Sequence, residues 1–313
     1  MFIGIDTSCY TTSLAVVDET GKLVMERRKL LRVKPGEKGL RQSEAVFQHV
    51  QQLPRLLEDS FGGVPLTAVA ASTVPRPVAG SYLPVFNVGA SFGETLAKLA
   101  GVPFVATSHQ EGHLRAGLYQ SAPPVKPFLA WHISGGTSEL LYVTPRPEGY
   151  RLEKIGGSTD LHVGQFVDRI GVALGAPFPA GPFLEQLALT APESRQSLPV
   201  SVQGMAISFS GPATAAERLL RQGVPGPEVA RQVFTGIARS LWQVTRQAAA
   251  LYRVEQVLLV GGVASNRLIR DQLQQAGVAL GLTVSCGAPE LSSDNAAGVA
   301  LLAYDRYQNR RKA

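Results

Sequence analysis

The chain has 313 residues, of which 45% are apolar and 17% charged, and a formal net charge of +6. That balance excludes a disordered polyelectrolyte and describes an ordered globular protein long enough for two lobes, each with its own core. No apolar run reaches the roughly 20 residues of a membrane span. The start Met-Phe-Ile-Gly-Ile-Asp lacks a signal-peptide pattern, and two distant cysteines, Cys9 and Cys286, build no disulfide framework. A cytoplasmic protein without a membrane partner is expected.

Phe2–Asp6, Ser13–Asp18 and Leu23–Arg27 read as three strands joined by tight turns. Ser43 to Ser60 carries apolar residues at helical spacing, and Gly89 to Leu99 is a second helix closed by Gly101. A strand at Pro103–Thr107 leads straight into His109. Phe128–Ile133, Glu139–Val143 and Tyr150–Ile155 then repeat the strand, turn, strand, turn, strand pattern of the N-terminus, as a divergent internal duplication would. Helices follow at Gly164–Leu174, Gly181–Leu189, Ala213–Arg221 and Pro227–Tyr252. A strand at Val257–Val260, a helix at Asn266–Gln275 and a last helix at Asp294–Tyr307 complete an α/β pattern. The division expected is an N-terminal lobe at 1–125 and a C-terminal lobe at 126–313, with the last helix packing back on the first lobe.

Positive charge gathers at Arg27, Arg28, Lys29, Arg32, Lys34, Lys38 and Arg41, and again at Arg306, Arg310, Arg311 and Lys312. Such runs serve solubility or a polyanionic partner equally.

Three strand ends run into small residues: Asp6-Thr-Ser8, Ser134-Gly-Gly136 and Gly261-Gly262, the last read as opening a helix. Glycine lets backbone N–H groups approach an anion, and a helix N-terminus favours phosphate. One such turn is ordinary; three on duplicated lobes point to a nucleotide between them. None fits the P-loop or dinucleotide patterns. Asp168, on the helix after Gly164, is either a solvated acid or a partner for a ribose hydroxyl, and Pro179-Ala-Gly181-Pro182 is a rigid turn.

His109 and His113 are two of only five histidines. Four residues apart on a helix, they share a face. The spacing fits two solvated side chains or a ligand pair. It does not fit a zinc protease, because Gln110 stands where H-E-x-x-H needs its glutamate and Glu111 is turned about 100° away. Asp294 opens the last predicted helix as an N-cap or supplies a third, oxygen ligand.

Taken in order, Gly4-Ile-Asp-Thr-Ser-Cys9, His109-Gln-Glu-Gly-His113, Ile133-Ser-Gly-Gly136, Gly164 through Asp168, Pro179-Ala-Gly-Pro182, Ser208-Phe-Ser-Gly211, Val260 through Asn266 and Asp294-Asn-Ala-Ala297 resemble the TsaD family. These are the tRNA threonylcarbamoyladenosine transferases, once described as O-sialoglycoprotein endopeptidases. The resemblance spans nearly the whole chain. It implies the duplicated, two-lobed ATPase fold of actin and sugar kinases, with a nucleotide cleft between the lobes. It further implies transfer of a threonylcarbamoyl group from threonylcarbamoyl-AMP to N6 of the adenosine beside the tRNA anticodon. By the same resemblance, iron or zinc is held by His109, His113 and Asp294. ATP or the acyl-adenylate falls on Ser134, Gly135, Gly136, Asp168, Gly181, Glu185 and Asn266. The partners implied are tRNA and TsaB- and TsaE-like companion proteins.

The chain also departs from the family pattern. Tyr10 and Thr11 replace two acids after Cys9, Thr137 replaces a histidine, and Gly36-Glu-Lys-Gly-Leu-Arg-Gln-Ser43 stands in place of a tyrosine-glycine-glycine segment. A second reading is therefore a paralogue that binds metal and nucleotide as a regulator or assembly partner without turnover.

Overall fold

In the computed structural model, residues 1–8, 10–33, 40–57, 65–119, 121, 124–192 and 197–312 are described. Cys9, Lys34, Lys38, the first half of the Gly36–Ser43 segment and the end of the helix expected to reach Ser60 lie outside them. The chain divides into two compact units. One comprises Met1–Pro123, Pro145–Arg151 and Glu290–Ala313; the other comprises Pro124–Thr144 and Leu152–Pro289.

In the first unit β1 (Phe2–Ser8), β2 (Thr11–Val17) and β3 (Leu23–Leu30) form an antiparallel meander. After α1 (Gln42–Leu57), β4 (Ala68–Val74) pairs parallel to β1; after α2 (Phe86–Ala100), β5 (Phe104–Ser108) pairs parallel to β4. Helix α3 (His109–Gly117) follows at once. Every residue of β1 and β2 is buried, as both faces of a covered sheet require.

In the second unit β6 (Phe128–Ile133) pairs antiparallel with β7 (Ser138–Arg146), which neighbours β8 (Gly149–Ser158). Helices α4 (Val163–Ala173) and α5 (Gly181–Leu189), the short strands β9 (Val202–Gln203) and β10 (Ala206–Ile207), and α6 (Ser210–Arg221) come next. Helix α7 (Gly226–Tyr252) buries Val229, Val233, Phe234, Ile237, Leu241 and Val244 at helical spacing in the core. It also accepts the indole N–H of buried Trp131 on Thr245 at 2.8 Å. Then β11 (Gln256–Val260) pairs parallel to β6, and β12 (Thr283–Cys286) pairs parallel to β11 after α8 (Arg267–Val278).

The sheet orders are β3-β2-β1-β4-β5 and β12-β11-β6-β7-β8-β10-β9. Read from its meander, the second is β8-β7-β6-β11-β12, the order of the first, so the duplication expected from the strand pattern is a duplication of topology. The last helix, α9 (Ala297–Lys312), packs on β1, β2, β4 and α3.

Four strands carry no clear signal in the sequence. Strand β4 reads Ala-Val-Ala-Ala-Ser-Thr-Val; its small residues fit between α2 and α9, so it lacks the bulky β-formers and alternation that mark a strand. Strands β9, β10 and β12 are two to four residues long. Several element starts also differ from expectation, among them α2, which begins at Phe86, three residues before Gly89. Helix α9 begins at Ala297, whose N–H is taken by Asn295 Oδ1 at 3.0 Å, leaving Asp294 in the preceding loop. Gly261-Gly262 opens a 3-10 turn (Gly262–Ser265), and α8 starts only after Asn266. Helix α6 begins three residues early because distant Asp160 accepts the N–H groups of Phe209 and Ser210 at 2.9 and 3.4 Å. Among the described residues, no helix is long and apolar enough to cross a membrane.

Candidate metal centre and ligand-binding turns

Helix α3 starts where it does because Ser108 and Glu111 form a reciprocal cap. The Ser108 hydroxyl accepts the Glu111 N–H at 3.2 Å, and the Glu111 carboxylate accepts the Ser108 N–H at 3.0 Å. Glu111 is thus committed to the backbone, a second reason against a protease base. The cap puts His109 in the first helical position and His113 one turn on. Their Nε2 atoms are 3.1 Å apart. Asp294 Oδ1 lies 3.3 Å from His113 Nε2 and 3.6 Å from His109 Nε2.

Three ligand atoms at these separations fit one small cation. Bonds of about 2.0–2.1 Å in tetrahedral geometry put ligand atoms about 3.4 Å apart, and two imidazoles with one carboxylate are a donor set that zinc and iron both accept. The cluster is mostly sheltered: the side chains of His113, His109 and Asp294 are 3%, 18% and 32% exposed.

Its surroundings are charged. Burial pushes the His109 imidazole down, but the charge and hydrogen bond of Asp6, with the charge of Asp294, carry it up to about 9. Burial raises Asp294, yet the His113 hydrogen bond and the nearby imidazoles hold it well below the usual carboxylate range. His109 Nδ1 lies 3.1 Å from both oxygens of Asp6, which is wholly buried and also accepts the Ser72 hydroxyl.

The loop before Asp294 is braced from two sides. Arg28 on β3 donates to Ser293 Oγ at 2.5 Å and to the Glu290 carbonyl at 2.6 Å. Asn295 Nδ2 donates to the Leu291 and Ser293 carbonyls at 2.8 and 2.7 Å. Sequence reasoning placed Arg28 in a basic run and overlooked Asp6 and Asn295 as supports. An acid inside the otherwise apolar run Phe-Ile-Gly-Ile was the one available signal.

Of the three turns expected at strand ends, Asp6-Thr-Ser8 lies in the first unit and continues strand β1 instead of turning. The residues expected to hold the adenylate all lie in the second unit, and hydrogen bonds and close approaches join them in a ring. Gly164 of α4 packs so tightly on Ser134 and Gly135 that a side chain there would overlap them, while Gly135 and Gly136 face open space. Asp168, four residues along α4, accepts the Ala180 N–H at 2.7 Å, just before Gly181 starts α5. Glu185 of α5 accepts the Arg267 N–H at 2.7 Å beside Asn266, which caps α8 by accepting the Ile269 N–H at 3.0 Å. The ring closes through Gly261, whose φ of +96° and contact with the Ile133 carbonyl exclude a side chain. Burial raises the Asp168 carboxyl against the lowering effect of the Ala180 N–H. The turns thus leave backbone open at Gly135 and Gly136, with three polar side chains locked in place nearby along the ring.

The departures fall at defined places. Thr11 is buried opposite Ser8 in the β1–β2 hairpin. Tyr10, at the hairpin tip, is 44% exposed. The Thr137 carbonyl accepts the Ser134 N–H at 2.8 Å and closes the glycine turn.

Two units of one repeated α/β topology give the duplicated fold seen in actin-like and sugar-kinase-like proteins. Solved structures share this fold: HypF of T. kodakarensis, with a TM-score of 0.62 at 12% identity over 99% of this chain and 48% of that one, and a ROK family glucokinase from Streptomyces griseus in complex with glucose and AMPPNP, with a TM-score of 0.52 at 14% identity over 96% and 97%. Within that class, the profile of TsaD, tRNA N6-adenosine threonylcarbamoyltransferase, matches residues 34–301. The chain belongs to the TsaD family. It is 32% identical to a tRNA N6-adenosine threonylcarbamoyltransferase of Thermus thermophilus, covering 98% of this chain and 93% of that protein. It is 33% identical to a probable bifunctional tRNA threonylcarbamoyladenosine biosynthesis protein of Methanothermobacter thermautotrophicus, over 98% of this chain but only 56% of that longer protein.

Proposed function

We propose that this protein transfers a threonylcarbamoyl group from threonylcarbamoyl-AMP to N6 of the adenosine beside the anticodon of tRNA. The observation that carries the reading is the His109, His113 and Asp294 cluster, whose ligand atoms converge in a chain of the TsaD family. These three residues would hold one transition metal, zinc or iron. When bound, such an ion polarises an acyl carbonyl and offsets charge on the departing phosphate.

The chain's own groups do the remaining work. Open amides at Gly135 and Gly136 bind the adenylate's anionic portion. Asp168 and Glu185 position the turns on which the nucleoside rests, and Asn266 fixes the start of α8. The exposed cations Lys29, Arg32 and Arg41 and the C-terminal Arg310, Arg311 and Lys312 meet tRNA phosphates, which makes binding salt-dependent. TsaB- and TsaE-like proteins are the companions this reading expects.

The test is mass spectrometry of tRNA nucleosides after incubation with metal-loaded protein, threonylcarbamoyl-AMP and the companion proteins of the same genome. Modified adenosine is expected from wild type, falling steeply with added salt and absent with Asp294→Ala. Unmodified tRNA with metal and adenylate both bound would overturn the proposal.

A further inference from the structure

We propose that Asp6 is the positioning residue of the metal centre, holding the proton of His109 on Nδ1 so that Nε2 is presented to the cation beside His113 and Asp294. The inference rests on reading those three residues as ligands.

A carboxylate with no exposure, in a strand buried along its whole length, is heavily disfavoured unless its oxygens find donors. Asp6 finds them on two neighbours. Ser72, on the adjacent parallel strand β4, donates its hydroxyl to Oδ1. His109 Nδ1 stands 3.1 Å from Oδ1 and from Oδ2. A carboxylate only accepts, so the nitrogen it faces must carry the proton.

The opposite side of the same ring faces the cluster, with Nε2 3.1 Å from His113 Nε2 and 3.6 Å from Asp294 Oδ1. Each imidazole nitrogen therefore has one partner class, and the hydrogen bond at Nδ1 decides that Nε2 offers its lone pair. Buried Phe86, its ring 5.8 Å from that of His109, restrains the imidazole further. Asp6 also sets a second negative charge behind the ligands, which with Asp294 matches a dication better than a monovalent ion.

The experiment compares wild type with Asp6→Asn and Ser72→Ala, stripped by chelator and titrated with zinc, and anaerobically with ferrous iron, against a competing chelator. Asp6→Asn keeps the shape but weakens the acceptor, and a 10–100-fold loss of affinity is expected, measured below the melting temperature of the metal-free variant, which falls because the mostly buried His109 loses its charged partner. Ser72→Ala leaves the His109 contact in place and is expected to lose less. In the zinc-loaded wild type, nitrogen NMR is expected to show His109 protonated at Nδ1 and ligated through Nε2. Wild-type affinity in Asp6→Asn, or ligation of His109 through Nδ1, overturns the proposal. If Asp6→Asn does not fold, the nitrogen NMR of zinc-loaded wild type decides alone, and ligation of His109 through Nδ1 overturns the proposal. Wild-type protein that takes up neither metal overturns the ligand assignment and this inference together. An Asp6 effect on metal without tRNA modification overturns the transferase reading alone.

Discussion

Gly298 on α9 runs directly against the carbonyl of Gly112 on α3, so closely that a methyl group at Gly298 would overlap that oxygen. Gly112 lies between His109 and His113, and α9 follows the loop that carries Asp294. This glycine-on-glycine crossing therefore sets how near the third ligand comes to the first two. Neither backbone atom can yield without moving a helix, so Gly298→Ala is expected to destabilise the protein by about 3 kcal/mol or more and to weaken metal uptake. Gly211, in α6 with open space around it, is the control; Gly211→Ala is expected to be neutral or to stabilise by up to about 1 kcal/mol. Thermal melts of the two variants check this.

Removing a ligand should be severe and specific. His109→Ala, His113→Ala and Asp294→Ala are each expected to lose bound metal from purified protein, because a three-ligand protein site seldom survives the loss of one donor. Elemental analysis after reconstitution with zinc or iron gives the answer. Retention of one equivalent in any of the three would show that its side chain is not a ligand.

Arg28 tests support at longer range. Its two hydrogen bonds to Ser293 and Glu290 hold the loop before Asp294. Loss of charge-assisted bonds at a partly exposed site is expected to cost about 1–2 kcal/mol of loop order. Arg28→Ala should speed hydrogen exchange at residues 290–294 and lower metal affinity several-fold, whereas Lys29→Ala, on the same strand, should leave both unchanged. If Arg28 served only tRNA phosphates, its loss would change the salt dependence of tRNA binding and nothing in the loop.

A pH effect follows from His49, fully buried on α1 with Nδ1 2.8 Å from the Thr12 hydroxyl. Burial drives its imidazole down to about 4, against the opposing charge of Asp6 and the Ser8 backbone. The folded state thus takes its proton later than the unfolded chain, whose histidine titrates near 6.5. Its contribution is intact above about pH 6.5 and is lost as pH falls toward 4, amounting to roughly 2–3 kcal/mol across that window. Denaturant melts at pH 7.5 and pH 5 should show the loss, and His49→Gln should flatten it.

The repeated strand pattern, the main helices, the strand-to-helix corner at His109 and the family are legible in the chain, because apolar periodicity, glycine turns and motif order are local properties of it. The i, i+4 spacing of His109 and His113 by itself puts both on one helix face. Tertiary structure alone decided the rest. Spacing left Asp294 either a cap or a ligand; the fold released it from capping by giving that task to Asn295 and turned it toward the histidines across 181 residues of sequence. It made Arg28 a brace instead of one more surface cation, and Asp6 the partner of His109 at a separation of 103 residues. It also made a strand of alanine-rich β4, whose small residues express close packing between two helices. Contacts between positions distant in sequence leave no periodic trace in it, since each depends on which backbone the chain brings alongside.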